Sequence, residues 1–198
     1  MALWDDGEYC RVVLDGDIHT TNQQAAGLAT RDNAKTFFYA FIYGAGNEKI
    51  GSIVGKDAKE GRRLRKKFLT SLPALKKLIE AVKDKAQQKG YLVGLDKRRI
   101  PIRNAHAALN TLLQSAGALL AKKSMVIMRE KIEAKGWKHR AQQVLWNHDE
   151  HQWDCEEAIA DEVGKMQVEA YQEAGKYFNF RIPIDGEYKV GMNWADTH

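Results

Sequence analysis

His148-Asp149-Glu150 stand in the run Val144-Leu145-Trp146-Asn147-His148-Asp149-Glu150-His151-Gln152-Trp153, a short acidic turn between strand-like residues. A turn of this kind can present the Asp149 carboxylate to a hard divalent cation, which takes oxygen ligands. The same triplet also reads as a solvated acidic turn. More than a hundred residues upstream, Arg31, Lys35, Tyr39 and Tyr43 recur at intervals of four. On an α-helix each lies about 40° from the last, so the four share one gently spiralling face. Its cations sit near the helix N-terminus, where free N–H groups and the positive dipole end add to their charge, a combination suited to a triphosphate. Tyr39 and Tyr43 follow with flat surfaces on which a sugar or base can pack. A surface helix with its aromatic rings turned into the core would show the same spacing.

These residues need elements to hold them. Thr30 offers a capping oxygen just before Arg31, so a helix is predicted from Arg31 to about Tyr43, stopping at Gly44-Ala45-Gly46. Asp15-Gly16-Asp17 marks a turn before it, and residues 20–28 read as a helix capped by Thr20 or Thr21. Residues 56–67 form a basic helical stretch. Pro73 restarts the chain, Leu75, Leu78, Ile79 and Val82 mark an apolar face, and Gly90 ends that helix. Residues 91–94 and 99–103 flank a turn as a short hairpin, with Pro101 implying an edge. A long helix follows from about His106 to Lys135, with Leu109, Leu112, Leu113, Ala116 and Leu120 on one stripe and Gly136 as its stop. Strands on both sides of His148-Asp149, an acidic helix over 156–176 and closing strands over 178–184 and 188–192 complete the expected order.

Composition sets the class. Of 198 residues, 44% are hydrophobic and 29% charged, which fits a soluble globular chain rather than a disordered or membrane-spanning one. No stretch approaches a transmembrane span. Met1-Ala2-Leu3-Trp4-Asp5-Asp6-Gly7 has neither a basic n-region nor an apolar h-region, so a cytoplasmic location is expected, with no membrane partner. Cys10 and Cys155 lack partners at zinc spacing and read as incidental thiols. The net charge of +5 hides an asymmetry, because residues 56–103 carry sixteen Lys/Arg against five Asp/Glu. Such a block suits a polyanion, and it equally suits a solvated basic face.

Taken together, Arg-x3-Lys-x3-Tyr-x3-Tyr-Gly from Arg31 to Gly44, followed much later by His-Asp-Glu, resembles the fingers and palm motifs of family A DNA polymerases, most closely those of short-tailed phages. Asp15-Gly16-Asp17-Ile18-His19-Thr20, Thr30-Arg31-Asp32-Asn33-Ala34-Lys35-Thr36, Tyr43-Gly44-Ala45-Gly46 and the run from His106 to Ala118 are similar to that group and fall in its order. The resemblance implies an α+β fold: a mainly helical fingers region over 1–105, then the C-terminal half of a polymerase palm over 106–198 with a small antiparallel sheet. It implies template-directed DNA synthesis from dNTPs on primer-template DNA.

Residue roles follow from the same resemblance. Arg31 and His19 would hold the nucleotide's phosphates, and Lys35 would bind phosphate and act catalytically by protonating the departing pyrophosphate. Tyr39 would pack by the deoxyribose, and Tyr43 and Gly44 would sit at the templating position. Asn110 and Gln114 would reach the primer-template, where minor-groove contacts are nearly independent of sequence. His148 would touch the primer end. Asp149 would be the metal ligand in two-metal Mg²⁺ catalysis, supported by Glu150.

The chain also departs from the family pattern. The palm strand that normally carries a second catalytic aspartate, reading Asp-Tyr-Ser or similar, does not occur in it. Resemblance begins at about Trp4, so the thumb and the first half of the palm are expected on a complementary polypeptide. Asn147 and His151 stand where the family usually has apolar residues, which points to altered packing or a partner chain. The second reading is a noncatalytic DNA-binding remnant or truncated fragment. A single-subunit phage RNA polymerase is a third, disfavoured because those enzymes usually carry Ser where this chain has Glu150.

Overall fold

A computed structural model of the chain describes residues 7–197, and the expected start of the resemblance at Trp4 lies outside them. The chain forms two compact units. One comprises Met1–Gly94 and Arg98–Leu113, the other Leu95–Lys97 and Gln114–His198. The fold is mostly helical with two small antiparallel sheets, as an α+β reading requires.

In the first unit, α1 spans Glu8–Asp15 and α2 spans Ile18–Ala26. The α2 cap is Asp17, whose carboxylate accepts the His19 and Thr20 backbone N–H groups, so the helix begins earlier than the Thr20 or Thr21 cap expected from sequence. An aspartate one residue before the apolar Ile18 offers the free N–H groups a charged acceptor, and the threonines are left inside the first turn. Helix α3 spans Arg31–Ile42 with Thr30 as N-cap, as expected. Its Ala34, Phe37 and Phe41 are buried. Phe68 of α5 (Ala58–Ser71) meets both rings edge-on, at 5.1 and 5.2 Å between centroids. Each such pair is worth roughly 0.5–1.5 kcal/mol beyond the area it buries.

Sequence periodicity did not anticipate α4, Asn47–Ser52, a helix too short to show a repeat. It packs so closely on α5 that a Cβ on Gly51 would lie 1.9 Å from the Asp57 carbonyl oxygen, and one on Gly61 would lie 1.8 Å from that of Asn47. Helix α6, Pro73–Lys89, ends at Gly90 and leads into the hairpin of β1 (Tyr91–Val93) and β2 (Arg99–Pro101), both as expected. Leu92, Val82, Ala86 and Ala108 form a second small core there, joined by Leu109 and Leu112 from the start of α7.

Helix α7, Ala108–Ala134, begins after a single 3-10 turn. Its expected single stripe divides. Leu109 and Leu112 serve the first unit, Leu120 and buried Ile127, Met128 and Ile132 serve the second, and Leu113 is exposed.

In the second unit, β3 (Ala141–Asn147) and β4 (Glu150–Cys155) form an antiparallel hairpin with Asn147 opposite Glu150, leaving His148 and Asp149 as its two-residue turn. Helix α8, Ala160–Tyr177, buries Val163, Met166, Ala170 and Ala174 against this unit's core. Lys131 of α7 pairs with Glu169 and Glu173 of α8 at 2.9 and 2.8 Å.

The closing strands expected over 178–184 and 188–192 do not form, and only the short α9, Trp194–Thr197, follows α8. The segment packs through side chains instead of pairing through its backbone. Tyr188 and Ile184 lie so close to Gly164 and Gly175 of α8 that a Cβ on either glycine would meet them within 2.2 and 2.7 Å. Gln172 donates to Asp185 at 3.0 Å. An apolar alternating segment becomes a strand only when another strand offers it hydrogen bonds. Among the described residues, no helix is long and apolar enough to cross a membrane.

Candidate active site

Helix α3 presents two opposite faces. Phe37 and Phe41 fill the core, while Arg31, Lys35, Tyr39 and Tyr43 are exposed, the two tyrosines at 48% and 54%. That excludes the alternative in which the tyrosine rings are core residues. Arg31 occupies the first helical position and grips Asp17 with two bonds, Nε to Oδ2 at 2.9 Å and an Nη to Oδ1 at 3.2 Å. The Arg31 guanidinium, with Thr20, holds the Asp17 carboxyl well below the usual carboxylate range, and Asp17 raises Arg31 in turn.

Asp17 therefore ties two candidate phosphate contacts together. Its Oδ1 accepts the His19 backbone N–H at 2.9 Å while the other bonds hold Arg31. The His19 side chain is half-buried, and its Nδ1 is buried without a hydrogen-bond partner in this structure. That ring nitrogen has unused hydrogen-bonding capacity.

After α3 the chain turns at Gly44, where φ is +81°, a conformation that favours glycine. This turn is braced by Arg65 of α5, which donates to the carbonyl of Ala45 and, at 3.1 Å, to Asn47 Oδ1, with its guanidinium 5.1 Å from the Phe41 ring centre. Burial pushes the Arg65 guanidinium down from its ordinary value. One cation of the basic block is thus an internal strut for the Tyr43-Gly44 corner. Lys59, Arg62, Lys66 and Lys67 remain exposed on the same helix. Sequence gave no signal for Arg65 among so many basic neighbours.

Asn110 and Gln114 lie one turn apart on α7, but the boundary between the two units falls between them. Gln114 is exposed, and Asn110 is half-buried with Oδ1 lacking a partner.

The hairpin turn places His148 and Asp149 in solvent. His148, the first of the two turn residues, has φ +55°, in the region that favours glycine. A non-glycine residue there costs roughly 1–2 kcal/mol. Both turn carbonyls are held: Trp146 Nε1 donates to the His148 oxygen at 2.7 Å, and the Tyr171 hydroxyl of α8 donates to the Asp149 oxygen at 3.3 Å. Glu150 accepts from Gln152 at 2.7 Å. The Asp149 carboxylate accepts no hydrogen bond among the described residues.

His151 finds its partners within the chain. Its Nδ1 is 3.0 Å from Gln143 Nε2 and its Nε2 is 2.9 Å from the Tyr171 hydroxyl, and burial lowers its basicity. Asn147 is exposed, so its polarity needs no partner. Neither departure from the apolar pattern calls for a second chain. Among the described residues, no group of three or more His, Cys, Asp or Glu side chains is placed to hold a metal ion.

The model of the family described as "DNA polymerase family A" matches residues 14–196. The chain belongs to DNA polymerase family A. Over its whole length it is 44% identical to the DNA-directed DNA polymerases of Enterobacteria phage T3 and Escherichia phage T7, of which it covers 31%. It is 23% identical to DNA polymerase I of Bacillus caldotenax, matching 91% of this chain and 21% of that protein. The chain thus spans about a third of the length of its phage relatives. Among solved structures, the POL domain of Pol1 from M. smegmatis, in complex with DNA primer-template and dNTP, matches with a TM-score of 0.71 at 20% identity, over 81% of this chain and 32% of that one. That likeness is one of fold.

Proposed function

We propose that the chain supplies the nucleotide-binding face and one metal-binding carboxylate of a template-directed DNA polymerase, which joins a dNTP to a primer 3′-hydroxyl. Residues 1–105 act as fingers and 106–198 as the C-terminal part of the palm. The observation that carries this reading is the outward face of α3, where Arg31, Lys35, Tyr39 and Tyr43 stand exposed while the phenylalanines between them fill the core.

In this reading Arg31 and His19 hold the phosphates, and Lys35 binds phosphate and gives a proton to the departing pyrophosphate. Tyr39 packs by the deoxyribose, and Tyr43 and Gly44 form the floor under the templating base. Asn110, Gln114 and His148 contact primer-template DNA without reading its sequence. Asp149 fits a hard cation, because its carboxylate is exposed and, among the described residues, spends no lone pair on protein donors. Mg²⁺, when bound, activates the primer hydroxyl and neutralises charge on the leaving oxygens. Glu150 supports Asp149 from the next position.

One carboxylate does not make a two-metal site. The portion of the polymerase that carries the thumb and the first half of the palm, with its own aspartate, completes the enzyme in the cytoplasm. Primer extension tests this. The lone chain is expected to bind primer-template in a salt-sensitive way and extend nothing, and its mixture with the complementary portion is expected to extend. Binding with no extension in any mixture would favour the noncatalytic remnant.

A further inference from the structure

We infer that Gln143, His151 and Tyr171 form a one-way hydrogen-bond relay that positions the turn bearing Asp149, making Tyr171 a positioning residue for the carboxylate. The inference rests on the reading of Asp149 as a metal ligand and adds what holds it.

The direction of each bond follows from its neighbour. Gln143 Nε2 lies 3.4 Å from the Leu145 carbonyl as well as 3.0 Å from His151 Nδ1. Only an amide nitrogen has protons for both, since a flipped amide would set its oxygen against the Leu145 oxygen. His151 Nδ1 is therefore an acceptor. With that nitrogen accepting, the ring proton sits on Nε2 and is donated to the Tyr171 oxygen at 2.9 Å. The hydroxyl, having accepted, has its own proton for the Asp149 carbonyl at 3.3 Å, and Ser124 of α7, whose own proton goes to the Ala121 carbonyl, is a further partner of the same oxygen. The bonds from Gln143 through His151 to Tyr171 run in one direction, and the last lands on the peptide of the candidate metal ligand.

A second clamp closes on the same turn. Trp146 donates to the His148 carbonyl at 2.7 Å, and its ring lies nearly parallel to that of His151, at 11° with 6.2 Å between centroids. A left-handed residue such as His148 persists where its surroundings over-determine it. With both turn carbonyls secured by side chains, the Asp149 carboxylate is left for a ligand outside the described residues.

The test uses Tyr171→Phe, which keeps the ring and removes the hydroxyl, with His151→Ile as a second variant. Nitrogen-15 NMR of histidine reads the tautomer in the chain as it stands. The wild type is expected to hold His151 almost wholly as the Nε2–H form, and Tyr171→Phe to mix the two forms with little change in thermal unfolding. In the enzyme completed by its complementary portion, both variants are expected to lower kcat about tenfold and raise the Mg²⁺ concentration for half-maximal rate, with KM for dNTP nearly unchanged, as lost outer-shell partners usually do. A wild-type tautomer and wild-type kcat in Tyr171→Phe would overturn the relay. Should Asp149→Ala extend primers normally, the metal-ligand reading itself would fall, whatever the tautomer shows.

Discussion

The α3 face and the Asp149 turn are held in place by opposite routes. Helix α3 carries four candidate contacts in thirteen residues on one surface, and its opposite face is anchored by the Phe37–Phe41–Phe68 cluster. The turn offers a single carboxylate and needs side chains from β3, β4 and α8 to hold it still. Phosphate recognition wants a broad cationic surface, which one helix can supply by periodicity alone. A metal site wants oxygens converging from several directions, which one turn cannot supply. The first kind of site can stand within a fragment, and the second depends on distant chain.

Phe37→Ala removes a fully buried ring and is expected to destabilise the first unit by about 3–5 kcal/mol, read by chemical denaturation with a probe in that unit. A loss below about 1 kcal/mol would mean that the aromatic anchor does not set the face.

Replacing Arg31 or Lys35 by Ala is expected to weaken dNTP binding about 10- to 100-fold while DNA binding holds, since charge-assisted bonds to phosphate are among the stronger polar contacts. Thr30→Ala removes the bond to the Asn33 N–H and should cost about 1 kcal/mol, lowering dNTP affinity without touching a charged side chain. Equal affinity in both proteins would show that the capped N-terminus adds nothing to the arginine and lysine.

Acid sharpens the contrast. Asp17 has a folded-state pKa held down by Arg31, then Thr20. A depressed carboxyl contributes stability that is fully present above its unfolded value of about 4 and is lost as pH falls toward the folded value. The Asp17–Arg31 pair should therefore persist at pH 4 and open only in stronger acid, followed by the carbon-13 shift of the Asp17 carboxyl. Titration at an ordinary aspartate value would contradict the pairing. The smallest effect belongs to Arg129–Glu133 on α7, an exposed i,i+4 pair whose removal should change stability by only about 0.3–0.5 kcal/mol.

What could be read in advance follows the same division. Helix α3, its Thr30 cap, the Gly90 stop and the hairpin around His148-Asp149 were legible because each rests on residues adjacent or a few positions apart. Asp17 as the cap of α2 was displaced by three residues because threonine and aspartate compete for one role. Arg65 looked like its basic neighbours, and only the fold turns it toward Ala45 and Asn47. The Tyr171 partnership spans twenty residues to His151, and no local pattern encodes it. The polarity of His151 at an apolar position was the available hint. Residues 178–184 and 188–192 alternate like strands, but strand formation depends on a neighbour, and α8 is what they found.

In the proposed enzyme, Asp149 is the catalytic carboxylate this chain contributes. Asp149→Ala in the enzyme completed by the complementary portion tests it most directly, with primer extension and primer-template affinity measured side by side. Extension is expected to disappear while DNA affinity stays within about twofold of wild type, because phosphate contacts carry most of that binding. Extension at the wild-type rate would contradict it.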